Sequence, residues 1–123
     1  MAKVIGLGGI FFKARDPKAL AAWYEKNLGL KIEGFGGAKF AEDSARPGAT
    51  LWTPFKQETK YFEPSTQPFM INFRVDDLHA LLAALRGAGV QVDERVDESE
   101  YGRFGWIMDP DGNRVELWEP PPK

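Results

Sequence analysis

The strongest constraint on the fold of this 123-residue chain is that its sequence repeats. Residues 10–24, IFFKARDPKALAAWY, align with residues 71–85, INFRVDDLHALLAAL, at an offset of 61, with six identical positions. The offset is about half the chain length. A repeat of this kind indicates that each half is one supersecondary unit and that the two units bury their apolar faces together.

Each copy begins with the same local signals. Alternating apolar residues predict a strand at 9–14 and another at 70–75. Asp16 and Asp77 follow these strands and are suited to cap a helix. Each precedes an apolar stripe at helical spacing, formed by Leu20, Trp23, Tyr24 and Leu28 in the first copy and by Leu78, Leu81, Leu82 and Leu85 in the second. Further strands are expected near 38–41, 48–53, 91–96, 103–108 and 113–119.

The ends of the elements also match between the copies. Gly29 and Gly89 are predicted to end the two helices, with a short strand after each. ATLWTP at 49–54 matches VELWEP at 115–120 at an offset of 66. The DPDG sequence is a tight-turn signal, so the last two strands should form a hairpin.

The chain is therefore predicted to be one α+β domain of two tandem βαβββ modules. The first module covers about 5–55 and the second about 69–120, with a linker at about 56–68. Linkers of this length often cover a site, so Tyr61 and Phe62 are candidates to close over the space between the modules. A plain connection between the modules is the equal alternative.

Composition excludes several classes of function. The net charge of −2 and the pI near 5.4 provide no basic surface, so we expect no nucleic-acid partner. The sequence has no cysteine, which excludes disulfides and thiolate metal sites. No apolar run has the length of a membrane span, and the N-terminus does not resemble a signal peptide. A cytoplasmic protein without a membrane partner is expected.

The duplicated module, with AAWYEKNLGL after the first strand, VDDL before the second helix and DPDGNRVEL at the end, resembles the vicinal oxygen chelate superfamily. This superfamily contains glyoxalase I, bleomycin-resistance proteins, fosfomycin-resistance enzymes and extradiol dioxygenases. The resemblance covers essentially the whole chain. It implies that the modules curl into a half-barrel, commonly in a homodimer, with a ligand or a metal in the concavity.

The resemblance also implies four metal-ligand positions, which carry over to Gly9, Thr50, Met70 and Glu116. Only Glu116 suits a divalent ion, and a catalytic metal needs about three protein ligands. The one histidine, His79, is predicted to face solvent on the second helix. We therefore expect no metal and no cofactor.

Strand alternation predicts which side chains face the concavity. Val115 and Leu117 belong to the apolar face that a helix covers, so Glu116 should point the other way and Glu119 should not. The same alternation predicts these ligand-binding residues: Phe11, Lys13, Thr50, Trp52, Met70, Asn72, Arg74, Glu116 and Trp118. Aromatic walls with a few polar groups are typical of a small-molecule site, and tryptophan faces attract cations.

Three functions remain open. The favoured one is a metal-free protein that binds an aromatic or cationic small molecule, resembling the drug-sequestering branch of the superfamily. The second is a glyoxalase- or dioxygenase-related isomerase or lyase in which Glu116, with its pKa raised by desolvation, is the general base. The third is an interaction module whose concavity is filled by its own side chains, with Glu116 paired to Lys13 or Arg74.

Overall fold

A computed structural model describes residues 2–28, 30–41 and 49–122. In chain order the elements are β1 (Val4–Ala14), α1 (Pro17–Leu28), β2 (Ala38–Ala41), β3 (Ala49–Lys56), β4 (Phe69–Val75), α2 (Leu78–Gly87), β5 (Asp97–Ser99), β6 (Gly102–Met108) and β7 (Arg114–Glu119). The strands form one mixed sheet in the order β2-β3-β1-β4-β7-β6-β5.

The strand pairing reflects the repeat. The first strand of each half runs parallel to the last strand of the same half, β1 with β3 and β4 with β7. The halves meet where β1 and β4 pair antiparallel, with Ile10 opposite Ile71. The seven-stranded sheet curls into the predicted half-barrel, and both helices are present, so the α+β prediction is confirmed.

The strand predicted near 91–96 is wrong. Within that range Val92 makes only a single bridge to Ile107, and β5 begins later, at Asp97. The Asp93 side chain accepts a hydrogen bond from the backbone N–H of Arg95, and this local turn interrupts the extended chain. In the first half Ile32 likewise makes only one bridge, and Gly29 lies outside the described residues.

Both predicted helix caps are present. Asp16 accepts a hydrogen bond from the Ala19 N–H at 3.0 Å, and Asp77 accepts one from the Ala80 N–H at 3.1 Å. These bonds satisfy N–H groups that the first turn of a helix leaves without partners. No helix among the described residues is long and apolar enough to cross a membrane.

The main apolar core lies between α2 and the sheet. It contains Val75, Leu78, Leu82, Val115 and Leu117. Leu78 and Leu82 belong to the stripe that the helical spacing predicts, and their packing confirms that Val115 and Leu117 face a helix.

Helix α1 packs differently from its sequence pattern. Trp23, predicted on the buried stripe, is 54% exposed, whereas Ala21 is buried. The sheet supplies the large side chain here, because Trp52 packs against Tyr24 with ring centroids 4.4 Å apart. With Trp52 filling this space, the helix presents a small residue to the strands.

Candidate functional site

Glu116 lies in the middle of the sheet, on the face opposite α2. Its neighbours across the strands are Asn72 on β4 and Trp106 on β6, and side chains at paired positions share a face. Glu116 is only 1% exposed. The predicted orientation of Glu116 into the concavity agrees with this register.

Three neutral groups donate hydrogen bonds to the Glu116 carboxyl group. The Tyr61 hydroxyl donates to Oε2 at 2.5 Å, Trp106 Nε1 donates to Oε2 at 2.9 Å, and Asn72 Nδ2 donates to Oε1 at 2.6 Å. Arg74, considered above as an ion-pair partner, directs its Nε to the carbonyl of Leu7. The buried acid is thus held by hydrogen bonds from neutral donors.

Burial raises the pKa of the Glu116 carboxyl group above its ordinary value. The hydrogen bonds from Tyr61, Asn72 and Trp106, together with the charge of Arg114, oppose this effect without cancelling it. Burial and the adjacent acid also raise the pKa of Tyr61 strongly, so its hydroxyl keeps its proton and remains a donor.

The concavity around Glu116 is filled. Phe11, Phe62, Met70 and Trp106 form a second buried cluster there, which we call the inner cluster. Two of the groups that close it, Tyr61 and Phe62, come from the linker, as the length of that segment suggested. Phe62, Met70 and Trp106 have no exposed surface, so this part of the concavity is a second core.

The residues around Glu116 do not fit a divalent metal. Gly9 offers no side-chain donor, Met70 offers a soft thioether, and the Glu116 oxygens already accept three hydrogen bonds from the protein. No cluster of three or more histidine, cysteine, aspartate or glutamate residues that could hold a metal occurs in the described ranges.

The prediction that Thr50 and Trp52 face the concavity is wrong. Trp52 contacts Phe12 and Tyr24 on the face of the sheet that α1 covers. Thr50 lies two residues before Trp52 on the same strand, so its side chain points to that face as well. The parallel pairing places Thr53 beside Phe11, in the way that it places Glu116 beside Asn72. Phe11 and Asn72 are equivalent in the repeat, so their partners Thr53 and Glu116 are structurally equivalent as well, with an offset of 63 residues. The LWxP sequence match between the same two strands has an offset of 66 residues. The two offsets differ by three residues. Because successive side chains of a strand point to opposite faces of the sheet, a shift by an odd number of residues assigns each side chain to the wrong face.

The other predicted residues separate along the sheet. Phe11, Met70 and Asn72 surround Glu116, whereas Lys13 pairs across the sheet with Phe55 and its backbone N–H donates to Pro68. As expected, Glu119 points to the other face, where it accepts a hydrogen bond from the N-terminal N–H of α2 at 2.8 Å. The predicted exposure of His79 is confirmed, since its side chain is 56% exposed beside Glu98.

Trp118 belongs to an open part of the concavity, which we call the outer cleft. This cleft has a volume of about 550 Å³. Its apolar walls include Leu51, Phe104 and Trp118, with Phe35 and Tyr101 nearer the solvent and charged residues Glu33, Lys39 and Glu100 also lining it. Trp118 and Phe104 have nearly parallel rings, with an interplanar angle of 4° and centroids 6.1 Å apart.

The indole of Trp118 has a fixed orientation. Its Nε1 donates a 2.7 Å hydrogen bond to the carbonyl of Tyr101, at the turn between β5 and β6. The indole N–H is thereby satisfied within the protein, and the Trp118 ring forms part of the apolar wall. A rigid aromatic wall that is organised before binding lowers the entropic cost of taking up a ligand.

Sequence reasoning missed several residues that shape these sites, including Trp106, Leu51 and Phe104. Trp106, which donates to Glu116, lies directly opposite it in the hairpin of β6 and β7. The turn at 109–112 fixes that pairing, so the sequence did contain the signal. Leu51 lines the outer cleft and was misplaced by the offset of 66. Its true parity depends on the pairing of β3 with β1.

Comparison with known proteins agrees with this architecture. A family model described as a glyoxalase-like domain matches residues 9–118. No curated protein sequence matches the chain.

Solved structures share the fold at low sequence identity. A Streptomyces coelicolor methylmalonyl-CoA epimerase variant in complex with 2-nitronate-propionyl-CoA superposes with a TM-score of 0.76 and 18% identity, covering 98% of this chain and 100% of that one. Mycobacterium tuberculosis methylmalonyl-CoA epimerase gives 0.67 and 21%, covering 97% and 90%. A glyoxalase/bleomycin resistance protein/dioxygenase superfamily member from Vibrio splendidus gives 0.57 and 12%, covering 97% and 99%.

Proposed function

The chain belongs to the glyoxalase-like domain family, and we propose that it is a metal-free protein that binds an aromatic small molecule in the outer cleft. The observation that carries the proposal is the wall of Trp118 and Phe104 in an open, mainly apolar cleft of about 550 Å³. A cleft of this size and lining is typical of a small-molecule site.

The division of the concavity supports this location for the ligand. Tyr61 and Phe62 occupy the space over Glu116, so the inner cluster leaves no room there for a ligand. Leu51 and Phe104 pack against the inner cluster and also line the outer cleft. These two side chains separate the filled part of the concavity from the open part.

An isomerase or lyase that uses Glu116 as its base has one observation in its favour, the raised pKa of that carboxyl group. Its geometry is unfavourable, because Glu116 is buried and both of its oxygens accept hydrogen bonds from the protein. The epimerases with the same fold are less than 25% identical to this chain, so their activity does not transfer to it. We therefore favour binding.

The proposal is tested with N-phenyl-1-naphthylamine, a neutral aromatic probe whose fluorescence rises in apolar surroundings. The wild-type protein should bind it, and Trp118→Ala should weaken binding by about tenfold or more, since a buried aromatic surface contributes roughly 1.5–3 kcal/mol. Trp118→Phe should retain most of the affinity because it keeps an aromatic wall.

Trp23→Ala is the matched control. Trp23 is 54% exposed on α1, away from the outer cleft, so its removal should leave the affinity unchanged. Circular dichroism should show that all three variants are folded. Equal losses from Trp118→Ala and Trp23→Ala, or no binding of the probe to the wild type, would contradict the proposal.

A further inference from the structure

Phe35 contributes to the walls of two cavities. It lines the outer cleft, and it also lines a second cavity of about 580 Å³, which we call the side cavity. Gly34 is the other residue that the two linings share. The side cavity lies against α1, where Ala21, Ala22 and Glu25 contribute to its wall.

Both cavities combine apolar surface with charged side chains. The outer cleft is walled mainly by aromatic and apolar side chains together with Glu33, Lys39 and Glu100, and the side cavity is lined by apolar surface and four charged residues. These are Asp16, Lys18, Glu25 and Lys56. Only an elongated molecule could occupy both cavities, and it would have to pass the position of the Phe35 ring.

We infer that Phe35 limits the length of a ligand bound in the outer cleft, because its ring closes the cleft off from the side cavity, which a longer ligand enters only when that ring is removed. The inference rests on the proposed function. Phe35 is 41% exposed and lies outside both buried clusters, so its role in packing is small. Its position in the walls of both cavities is the feature that calls for an explanation.

The test uses a homologous series of 2-naphthyl ethers that end in a primary alcohol, with linear spacers from ethyl to octyl. Isothermal titration calorimetry measures their affinity for the wild type and for Phe35→Ala. For the wild type, affinity should stop rising once the spacer reaches Phe35. In Phe35→Ala it should keep rising by about fourfold for each further methylene buried, the value expected from apolar transfer.

Two variants locate the effect. Phe40→Ala removes an aromatic ring of similar exposure on β2 that is not among the described residues lining either cavity, and it should behave like the wild type. Ala22→Trp, added to Phe35→Ala, fills the side cavity from α1 and should abolish the gain for long probes while leaving the short probe unaffected.

The possible failures are distinguishable. Identical length dependence in the wild type and Phe35→Ala, or a gain that Ala22→Trp does not remove, would overturn the role of Phe35 while leaving binding in the outer cleft intact. If no member of the series binds the wild type, the proposed function itself fails.

Discussion

Glu116 shows how one residue can keep its place in a family pattern while its surroundings change. It occupies one of the four positions that the family resemblance implies for metal ligands, but here Tyr61, Asn72 and Trp106 surround it with hydrogen-bond donors. Asn72 Oδ1 is buried and has no hydrogen-bond partner among the residues that the structure describes. If the Asn72 amide turns over, this oxygen can accept a hydrogen bond from the O–H of a protonated Glu116, so the network suits both states of the acid.

This environment predicts a pH dependence of stability that originates at Glu116. Because the folded protein raises the pKa of this acid, it holds the proton more tightly than the unfolded chain does. The contribution of Glu116 to stability is therefore complete below about pH 4.5 and is lost as pH rises through the folded-state pKa. Glu116→Gln should remove this loss, with a slope of up to about 1.4 kcal/mol per pH unit.

Urea denaturation of the wild type and Glu116→Gln between pH 4.5 and pH 8 measures this effect. The stability of the variant relative to the wild type should increase as pH rises. Glu94→Gln, at an exposed position, should follow the wild-type curve. Parallel curves for the wild type and Glu116→Gln would show that Glu116 titrates with the same pKa in both states.

At the scale of elements, the hairpin of β6 and β7 places both Glu116 and Trp118. Its first residue, Gly102, has φ of 113°, and a side chain there would overlap the carbonyl of Glu119 and press on Trp118 Nε1. At the turn, Gly112 also has a positive φ, but no atom of the described part of the chain lies within 4 Å of the position that a Cβ atom would take there. The two glycines therefore differ in one respect, the closeness of a neighbouring strand.

Gly102→Ala should destabilise the protein by about 3 kcal/mol, whereas Gly112→Ala should cost about 1 kcal/mol, the strain of a positive φ alone. Thermal or urea unfolding measures both. Gly102→Ala should also weaken binding of the naphthylamine probe, because it displaces the indole of Trp118. Equal destabilisation by the two substitutions would mean that the close approach of the Glu119 carbonyl to Gly102 adds nothing to the free-energy cost of a side chain at that position.

At the scale of the whole molecule, the convex face of β1 carries large apolar side chains that remain partly exposed to solvent. Val4, Leu7 and Ile10 are between 39% and 47% exposed. A continuous apolar strip on one face suits a self-complementary contact about a twofold axis. We expect the protein to form a homodimer at micromolar concentration, as the family resemblance implies.

Light scattering after size-exclusion chromatography measures the mass. Ile10→Asp, in the middle of this strip, should yield a monomer, whereas Phe40→Asp, an equally exposed position on the edge strand β2, should not. A wild-type protein of monomer mass would contradict the expectation.

The sequence was sufficient to predict the order of most elements. The repeat, the Asp caps and the DPDG turn are local signals, and each depends on residues a few positions apart. Trp23 was misassigned because the helical pattern records spacing and cannot show that Trp52 fills the space beneath α1. The strand near 91–96 was misplaced because the turn at Asp93 depends on one side-chain hydrogen bond.

The sequence by itself determined the two-part architecture and the orientation of Glu116, since alternation within one strand requires no knowledge of its neighbours. The tertiary structure decided which strands lie side by side, and so placed Thr53 where the repeat suggested Thr50. It also brought Tyr61 from the linker to Glu116 and left Trp118 beside an open cleft. Such placements depend on the register between strands and on chain segments far apart in sequence, which local residue patterns do not encode.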